Sequence, residues 1–178
     1  MRKAVRSFDA RLTMFIQSWP VWLRPIMLAI TDTGQPLTVI LFASGLLVWA
    51  VWDQNIPMRD AALVVLATVI VSTALKGILR RARPDTEYAA AMIFKTFSFP
   101  SGHAAAATVG FGFLAYLAFM LLSLPLGALI GVLLIIYTLL IGISRVYLGA
   151  HYPSDVLGGM ILGGAGLAVI LLVVSPLA

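Results

Sequence analysis

The sequence predicts an all-α integral membrane protein. Five transmembrane helices form one bundle, and an N-terminal interfacial helix lies beside it. Three observations carry this. Of 178 residues, 61% are hydrophobic and 11% charged, where a soluble domain carries about 25% charged residues. Mean hydropathy is +1.03. Uncharged stretches recur at lengths suited to crossing about 30 Å of hydrocarbon, and Lys, Arg and Asp gather at their ends. The length fits a single domain, residues 1–178, with 1–33 as the interfacial segment and 34–178 as the bundle. No cysteine is present, which excludes disulfides, thiolate metal sites and a Cys nucleophile. The formal charge is +5. These cations flank apolar spans, so they point to anionic headgroups or a phosphorylated substrate rather than to nucleic acid.

Residues 1–33 hold Arg2, Lys3 and Arg6, then a mixed stretch with Asp9, Arg11, Pro20, Arg24 and Pro25. The longest uncharged piece, Leu12 to Leu23, is too short to span. Trp19 and Trp22 are residue types of the headgroup level. The segment therefore reads as an amphipathic interfacial helix broken near Pro20 and Pro25. No small-residue cleavage site follows a clean apolar core, against a signal peptide.

Thr31 to Pro36 is a turn, and Leu37 to Trp52 is the first span. A polar loop, 53–60, leads to the second span, Ala61 to Leu75, whose helix continues past Lys76 to Leu79. The longest polar stretch is 80–100. Ser101 to Leu124 and Leu126 to Ile143 are the third and fourth spans, joined tightly at Pro125, and Asp155 to Val174 is the fifth. Gly159 and Gly163 have the small-xxx-small spacing that lets helices approach closely, either within this bundle or, less favoured, between two copies.

Five alternating spans put loops 53–60 and 123–125 on one face. The N-terminal segment, loop 80–100 and the stretch 144–155 fall on the other. That second face holds Lys76, Arg80, Arg81, Arg83, Lys95, Ser101, Gly102, His103, Arg145, His151 and Asp155, including both histidines of the chain. Charges at membrane ends are costly unless paired or functional, and cations with few local carboxylates suggest an anion. Lys76 must snorkel or meet a partner. Arg83 precedes Pro84, where helix is disfavoured, which suits a guanidinium aimed at phosphate oxygens. Ser101-Gly102-His103 opens a helix whose free N–H groups and dipole seat an anion. Ser101 reads equally as an ordinary N-cap. Asp155, four residues after His151, is placed to fix that imidazole's tautomer and equally to favour a helix start.

Taken together, Lys76-x6-Arg83-Pro84, Pro100-Ser101-Gly102-His103 and Ser144-Arg145-x5-His151-x3-Asp155 resemble the three signature motifs of the type 2 phosphatidic acid phosphatase superfamily, the membrane lipid phosphatases. Every signature position is filled, in order. The N-terminal Asp32-Thr33-Gly34 is also similar to the stretch before the first core span of bacterial members. Many of those members have a sixth span, which is not read here. The resemblance implies that His151 attacks phosphorus to form a phosphohistidine and that Asp155 orients it. It implies that His103 protonates the leaving oxygen and then activates water. Lys76, Arg83, Ser101, Gly102 and Arg145 would hold the phosphoryl oxygens. No metal or other cofactor is expected.

The implied substrate is a phosphorylated membrane lipid: phosphatidic acid, phosphatidylglycerol phosphate or a polyprenyl diphosphate. Arg80, Arg81 and Lys95 either contact a second phosphate in the headgroup or are solvated surface charge. A lipid-to-lipid phosphotransferase with the same site, and more distantly an anion transporter, are the alternative functions. Nothing in the sequence indicates an oligomer. The expected location is the plasma (inner) membrane, with the catalytic face outside the cytoplasm as in most bacterial relatives. The charge distribution opposes that orientation: of twelve Lys and Arg, Arg59 alone lies on the far face, and the positive-inside rule would place the basic face in the cytoplasm.

Overall fold

The structure, a computed structural model, describes residues 2–92 and 96–174. Lys95 therefore lies outside the described residues. Among the described residues, eight α-helices follow in order: α1 (Arg2–Gln17), α2 (Arg24–Thr33), α3 (Pro36–Trp52), α4 (Ile56–Leu79), α5 (Glu87–Ala91), α6 (Gly102–Leu121), α7 (Leu124–Tyr147) and α8 (Pro153–Val174), with a 3₁₀ turn at Val21–Leu23. Five segments of the described residues are long and apolar enough to span a membrane, the first running over Val21–Trp52, which includes α2 and α3.

Proline punctuates this chain by starting helices. Pro25, Pro36, Pro57 and Pro125 sit in the first turns of α2, α3, α4 and α7, and Pro153 begins α8. A first-turn N–H has no helical partner, so proline loses nothing there. This corrects the expected break at Pro25, which opens α2. The other expected break, near Pro20, is present at Ser18–Pro20, and α2 ends at Gly34, just before Pro36. Asn55 caps α4 by accepting from the Met58 amide at 3.2 Å. At its other end α4 stops where Arg80 turns left-handed, φ 47°, three residues before the Arg83-Pro84 pair.

The bundle is built around α6, which packs on α3, α4, α7 and α8. Ala104, Ala105, Ala106, Ala107, Val109 and Phe113 are fully buried along it. Val39, Ala43, Ala61, Val65, Val69 and Ile170 complete the core. Small residues bring α8 against this helix. A Cβ on Gly163 would stand 2.5 Å from the Ala105 carbonyl oxygen and 2.7 Å from Thr108 Cβ. The glycine stripe thus serves packing within one chain, where backbone approach replaces the hydrophobic driving force that lipid does not supply.

Helix α1 lies across α7 and α8. Its Asp9, Thr13 and Ile16 turn inward at helical spacing, while Met14 and Phe15 remain 66% and 62% exposed. An amphipathic helix with an outer apolar edge suits the headgroup boundary. Between α1, α7 and α8 runs an apolar groove of about 250 Å³, bordered by Phe8, Leu12, Val146 and Met160. It holds no polar chemistry and lies apart from the histidines.

Candidate active site

The motif residues arrive at one end of the bundle from four elements. Lys76 comes from the last turn of α4 and Arg83 from the loop after it. Gly102 and His103 open α6. Arg145 sits in the last turn of α7, because that helix continues past Ile143 to Tyr147. The carbonyl end of a helix dipole favours a cation there. The chain then turns at Gly149, φ 76°, where an added Cβ would meet Thr86 at 2.7 Å. His151 follows in the loop, and Asp155 lies in the first turn of α8.

A cavity of about 320 Å³ is lined by Lys76, Arg83, Gly102, His103, His151 and Gln35. A second, of about 310 Å³, is lined by Asp32, Gln35, Tyr88, His103 and Arg145. His103, Gln35 and Met92 border both, so the two form one tract with His103 at the junction.

The imidazole of His151 is 2% exposed. Its Nε2 lies 3.2 Å from Arg83 Nη1. A guanidinium has no acceptor, so Nε2 takes that bond with its lone pair and the ring proton rests on Nδ1. Nδ1 stands 3.6 Å from Asp155 Oδ2, longer than a hydrogen bond and within ion-pair reach once the ring is charged. Burial, reinforced by Arg145, Arg83 and Lys76, holds the His151 pKa well below its ordinary value. The neutral, nucleophilic ring is therefore the resting form.

Among the described residues, three cations face the cavities, and none of them is in a salt bridge with a carboxylate. Lys76 Nζ donates to the Pro100 carbonyl at 2.5 Å and to that of Phe97 at 3.4 Å. Arg83 donates to the carbonyls of Thr96 at 2.8 Å and Ala150 at 2.9 Å, and to Thr96 Oγ1 at 3.2 Å. Arg145, 1% exposed, donates from Nη1 to Thr31 Oγ1 at 2.6 Å and to Tyr88 Oη at 3.3 Å. Its Nε and Nη2 are buried without a partner. Unpaired buried N–H groups of a cation are expensive, and they suit an anion that completes them.

Asp155, fully buried, lies behind His151. Oδ2 accepts from the Tyr152 amide at 2.9 Å, and Oδ1 accepts from Arg81 Nη1 at 2.7 Å. The Asp155 carbonyl accepts from the Ser101 amide at 2.9 Å, which joins the start of α8 to the start of α6. Ser101 is the N-cap of α6, fully buried, with Oγ accepting from the Ala104 amide at 3.4 Å. Of the N-cap and cavity roles read for it, the structure shows the first, and Gly102 and His103 form the wall.

The flanking cations separate. Arg80 is exposed and donates back to the Gly77 carbonyl at 2.9 Å. Arg81, read as either a headgroup contact or solvated surface charge, is engaged within the protein. Its guanidinium turns inward to Asp155, to Ser154 Oγ at 2.7 Å and to Asp9 Oδ2 at 2.6 Å, and covers the Tyr152 ring at 4.4 Å. Two carboxylates pair with it there.

Sequence reading missed Thr31, Tyr88, Thr96, Ser98 and Asp9. Ser98 closes the neck of loop 80–100 by donating to the carbonyls of Arg81 and Ala82. Thr86 Oγ1 donates to the Gly149 carbonyl at 2.9 Å, which ties that loop to the His151 turn. Asp9 had one visible signal, as the sole acid in a helix otherwise rich in Arg and Lys.

The family model described as the PAP2 superfamily matches residues 57–177. Phosphatidylglycerophosphatase B of Bacillus subtilis strain 168 is 34% identical over 80% of this chain and 70% of its own length. The putative undecaprenyl-diphosphatase YbjG of Escherichia coli K12 is also 34% identical, over 79% of this chain and 69% of its own length. The crystal structure of a transmembrane PAP2 type phosphatidylglycerolphosphate phosphatase from Bacillus subtilis superposes with a TM-score of 0.78 at 28% identity, covering 98% of this chain and 88% of that one. With its motif residues converging in one cation-lined cavity, the chain belongs to the PAP2 superfamily of membrane lipid phosphatases.

Proposed function

We propose that the chain removes the terminal phosphate of a lipid phosphomonoester, of the phosphatidylglycerol phosphate type, through a phosphohistidine on His151. The buried Arg145, which borders the tract that ends at His151 and has two nitrogens without a partner, carries the reading. Nε2 of His151 attacks phosphorus as the bond to the lipid oxygen breaks. His103, at the junction of the cavities, gives its proton to that oxygen. His103 then takes a proton from water, whose oxygen attacks phosphorus; the N–P bond breaks and inorganic phosphate leaves. As His151 becomes cationic, Asp155 at 3.6 Å stabilises it. Lys76, Arg83, Arg145 and the first amides of α6 hold the phosphoryl oxygens.

No metal is needed in this scheme, because three side-chain cations supply the charge a metal would. Among the described residues, no group of three or more Asp, Glu or His converges to hold one. The phosphomonoester preference rests on the cations outside the motifs. Arg81 is held by two acids and Arg80 turns back on α4. Beyond His103 the tract carries Asp32 and Gln35, which donates to Asp32 Oδ1 at 3.2 Å. A carboxylate there repels a second phosphate and accepts from a hydroxyl. The name of the Bacillus relative agrees with this choice.

The test is a lipid panel in defined micelles, with EDTA and no acceptor lipid. Phosphate release is expected, faster from phosphatidylglycerol phosphate than from a polyprenyl diphosphate, blocked by vanadate and abolished in His151→Ala. Loss of turnover in EDTA, restored by magnesium, overturns the metal-free scheme, and phosphate transfer without release favours the phosphotransferase. We place the catalytic face outside the plasma membrane, as the resemblance implies. A C-terminal fusion should then be fluorescent with green fluorescent protein and silent with alkaline phosphatase; an active phosphatase fusion reverses the orientation.

A further inference from the structure

We propose that Asp9 of α1 is a positioning residue for this reaction, acting on His151 through Arg81 and Asp155. Asp9 is 3% exposed, and a carboxylate so buried requires donors. It has three. Oδ2 accepts from Arg81 Nη2 at 2.6 Å and from Ser154 Oγ at 2.7 Å, and Oδ1 accepts from the Ser154 amide at 2.9 Å. Arg81 is a bridge: Nη2 goes to Asp9 and Nη1 to Asp155 Oδ1 at 2.7 Å. With Oδ1 taken by Arg81, Oδ2, which also accepts from the Tyr152 amide at 2.9 Å, is the oxygen toward His151, at 3.6 Å. The path from α1 to the attacking ring is thus four side chains long, each within direct polar reach of the next.

The bridge acts on the reaction because it governs where Arg81 sits. Without Asp9, the guanidinium has Asp155 as its remaining carboxylate partner. With that second anchor lost, Arg81 no longer fixes Asp155 Oδ1 in place, and Oδ2 loses the orientation that stabilises the cationic His151 as the N–P bond forms, as it also does when Arg81 itself is removed. The effect falls on the chemical step, since Asp9 borders neither cavity. Helix α1 is well anchored for this work. Beyond Asp9, Gln17 donates to the Val146 carbonyl at 3.1 Å, and Tyr147 Oη donates to the Pro20 carbonyl at 2.9 Å. Those anchors flank Arg145 on α7, as Asp9 flanks Asp155 on α8. Asp9 precedes residues 57–177, which the family model covers, whereas Arg81 and Asp155 lie within them.

The proposal rests on His151 as the attacking group, and the two fail separately. Purified Asp9→Asn, Arg81→Gln, the double variant and Ser154→Ala are compared in kcat, KM and thermal midpoint. Asp9→Asn should lower kcat about tenfold with KM changed less than twofold, and Arg81→Gln should do the same. The double variant should be no slower than the slower single one, because both remove one bridge. Ser154→Ala, which keeps the amide donor, should lower kcat two- to threefold and serves if Asp9→Asn does not fold. Multiplicative losses in the double variant overturn the bridge. So does a lowered thermal midpoint in Asp9→Asn and Ser154→Ala with kcat per folded enzyme unchanged. If His151→Ala retains turnover, the underlying assignment of the nucleophile fails instead.

Discussion

Arg145→Met separates what the fold needs from what the chemistry needs. The guanidinium is 1% exposed, with Nη1 hydrogen-bonded and Nε and Nη2 unpartnered. If those two groups grip the phosphoryl oxygens as charge it develops, each charge-assisted bond is worth about 1.5–3 kcal/mol. Losing two removes about 3–6 kcal/mol, or roughly 10²–10⁴ in kcat/KM at about 1.4 kcal/mol per decade. Arg145→Lys restores one bond and should lose only about 10–10². Stability should move the other way. In the free enzyme, a buried cation with unpaired donors is a liability, and a methionine of similar volume should leave the thermal midpoint unchanged or raise it. Phosphate supplies the internal check. At 100 times its Kd a ligand adds about 2.7 kcal/mol to the folded state, so phosphate should raise the midpoint of the wild type and not of Arg145→Met. Phosphate release in micelles and thermal scans with and without phosphate measure all of this. A strongly destabilised Arg145→Met, with phosphate still protecting it, would refute the reasoning and make Arg145 a structural residue.

The pH dependence follows from the lowered His151 pKa: kcat/KM should show no loss attributable to His151 as pH falls through about 6.5, the unperturbed value. Stability carries the same signature, because below that pH the unfolded chain binds a proton the folded one refuses; this contribution is full above about 6.5 and lost as pH falls toward the folded pKa, which thermal midpoints against pH will show. Gly102→Ala should fold normally, since its Cβ would meet only Pro36, Lys76 and Ser72 at 3.7–3.9 Å, yet lose activity by narrowing the cavity where amides meet phosphate; unchanged kcat/KM rejects that seat. Gly163→Ala should cost about 1–3 kcal/mol by overpacking α8 on α6, whereas Gly164→Ala, with nothing within 4 Å, should be neutral in the same melting assay.

Hydropathy carried the fold, because spans are long, local signals. The expected end of α4 at Leu79 matches the structure. The motif residues were legible for a different reason. Lys76, Arg83, His103, Arg145 and His151 stand where charge is costly and call for an explanation. Thr31 and Tyr88 gave no such signal: a threonine before a turn and a tyrosine in a polar loop are ordinary until α2 packs on α7 and loop 80–100 folds over Arg145. Arg145 itself reads as a loop residue because Ile143 ends the apolar run. No helix breaker intervenes before Gly149, so the helix runs on.

The deepest illegible feature is a segregation of charge. Arg81 and Arg83 are two residues apart in one polar loop, and no local rule tells them apart. In space they face opposite ways. Arg83 and Lys76 are steadied chiefly by backbone carbonyls, of Thr96, Ala150, Pro100 and Phe97. A carbonyl is a dipole; it orients a cation without neutralising it, so the full charge stays available to a phosphoryl group. Arg81 is held by Asp9 and Asp155, and its charge is cancelled where it sits. The acids thus stand behind His151 and the free cations in front of it. A phosphate held between Lys76, Arg83 and His151 meets no carboxylate bordering that cavity, Asp32 standing beyond His103, and the imidazolium formed by its attack finds Asp155 at its back. Reversing the pairing, with an acid beside Arg83, would lower the free enzyme's electrostatic cost and remove the field that draws phosphorus onto Nε2. The site retains uncompensated charge because carbonyls, unlike carboxylates, leave it uncompensated.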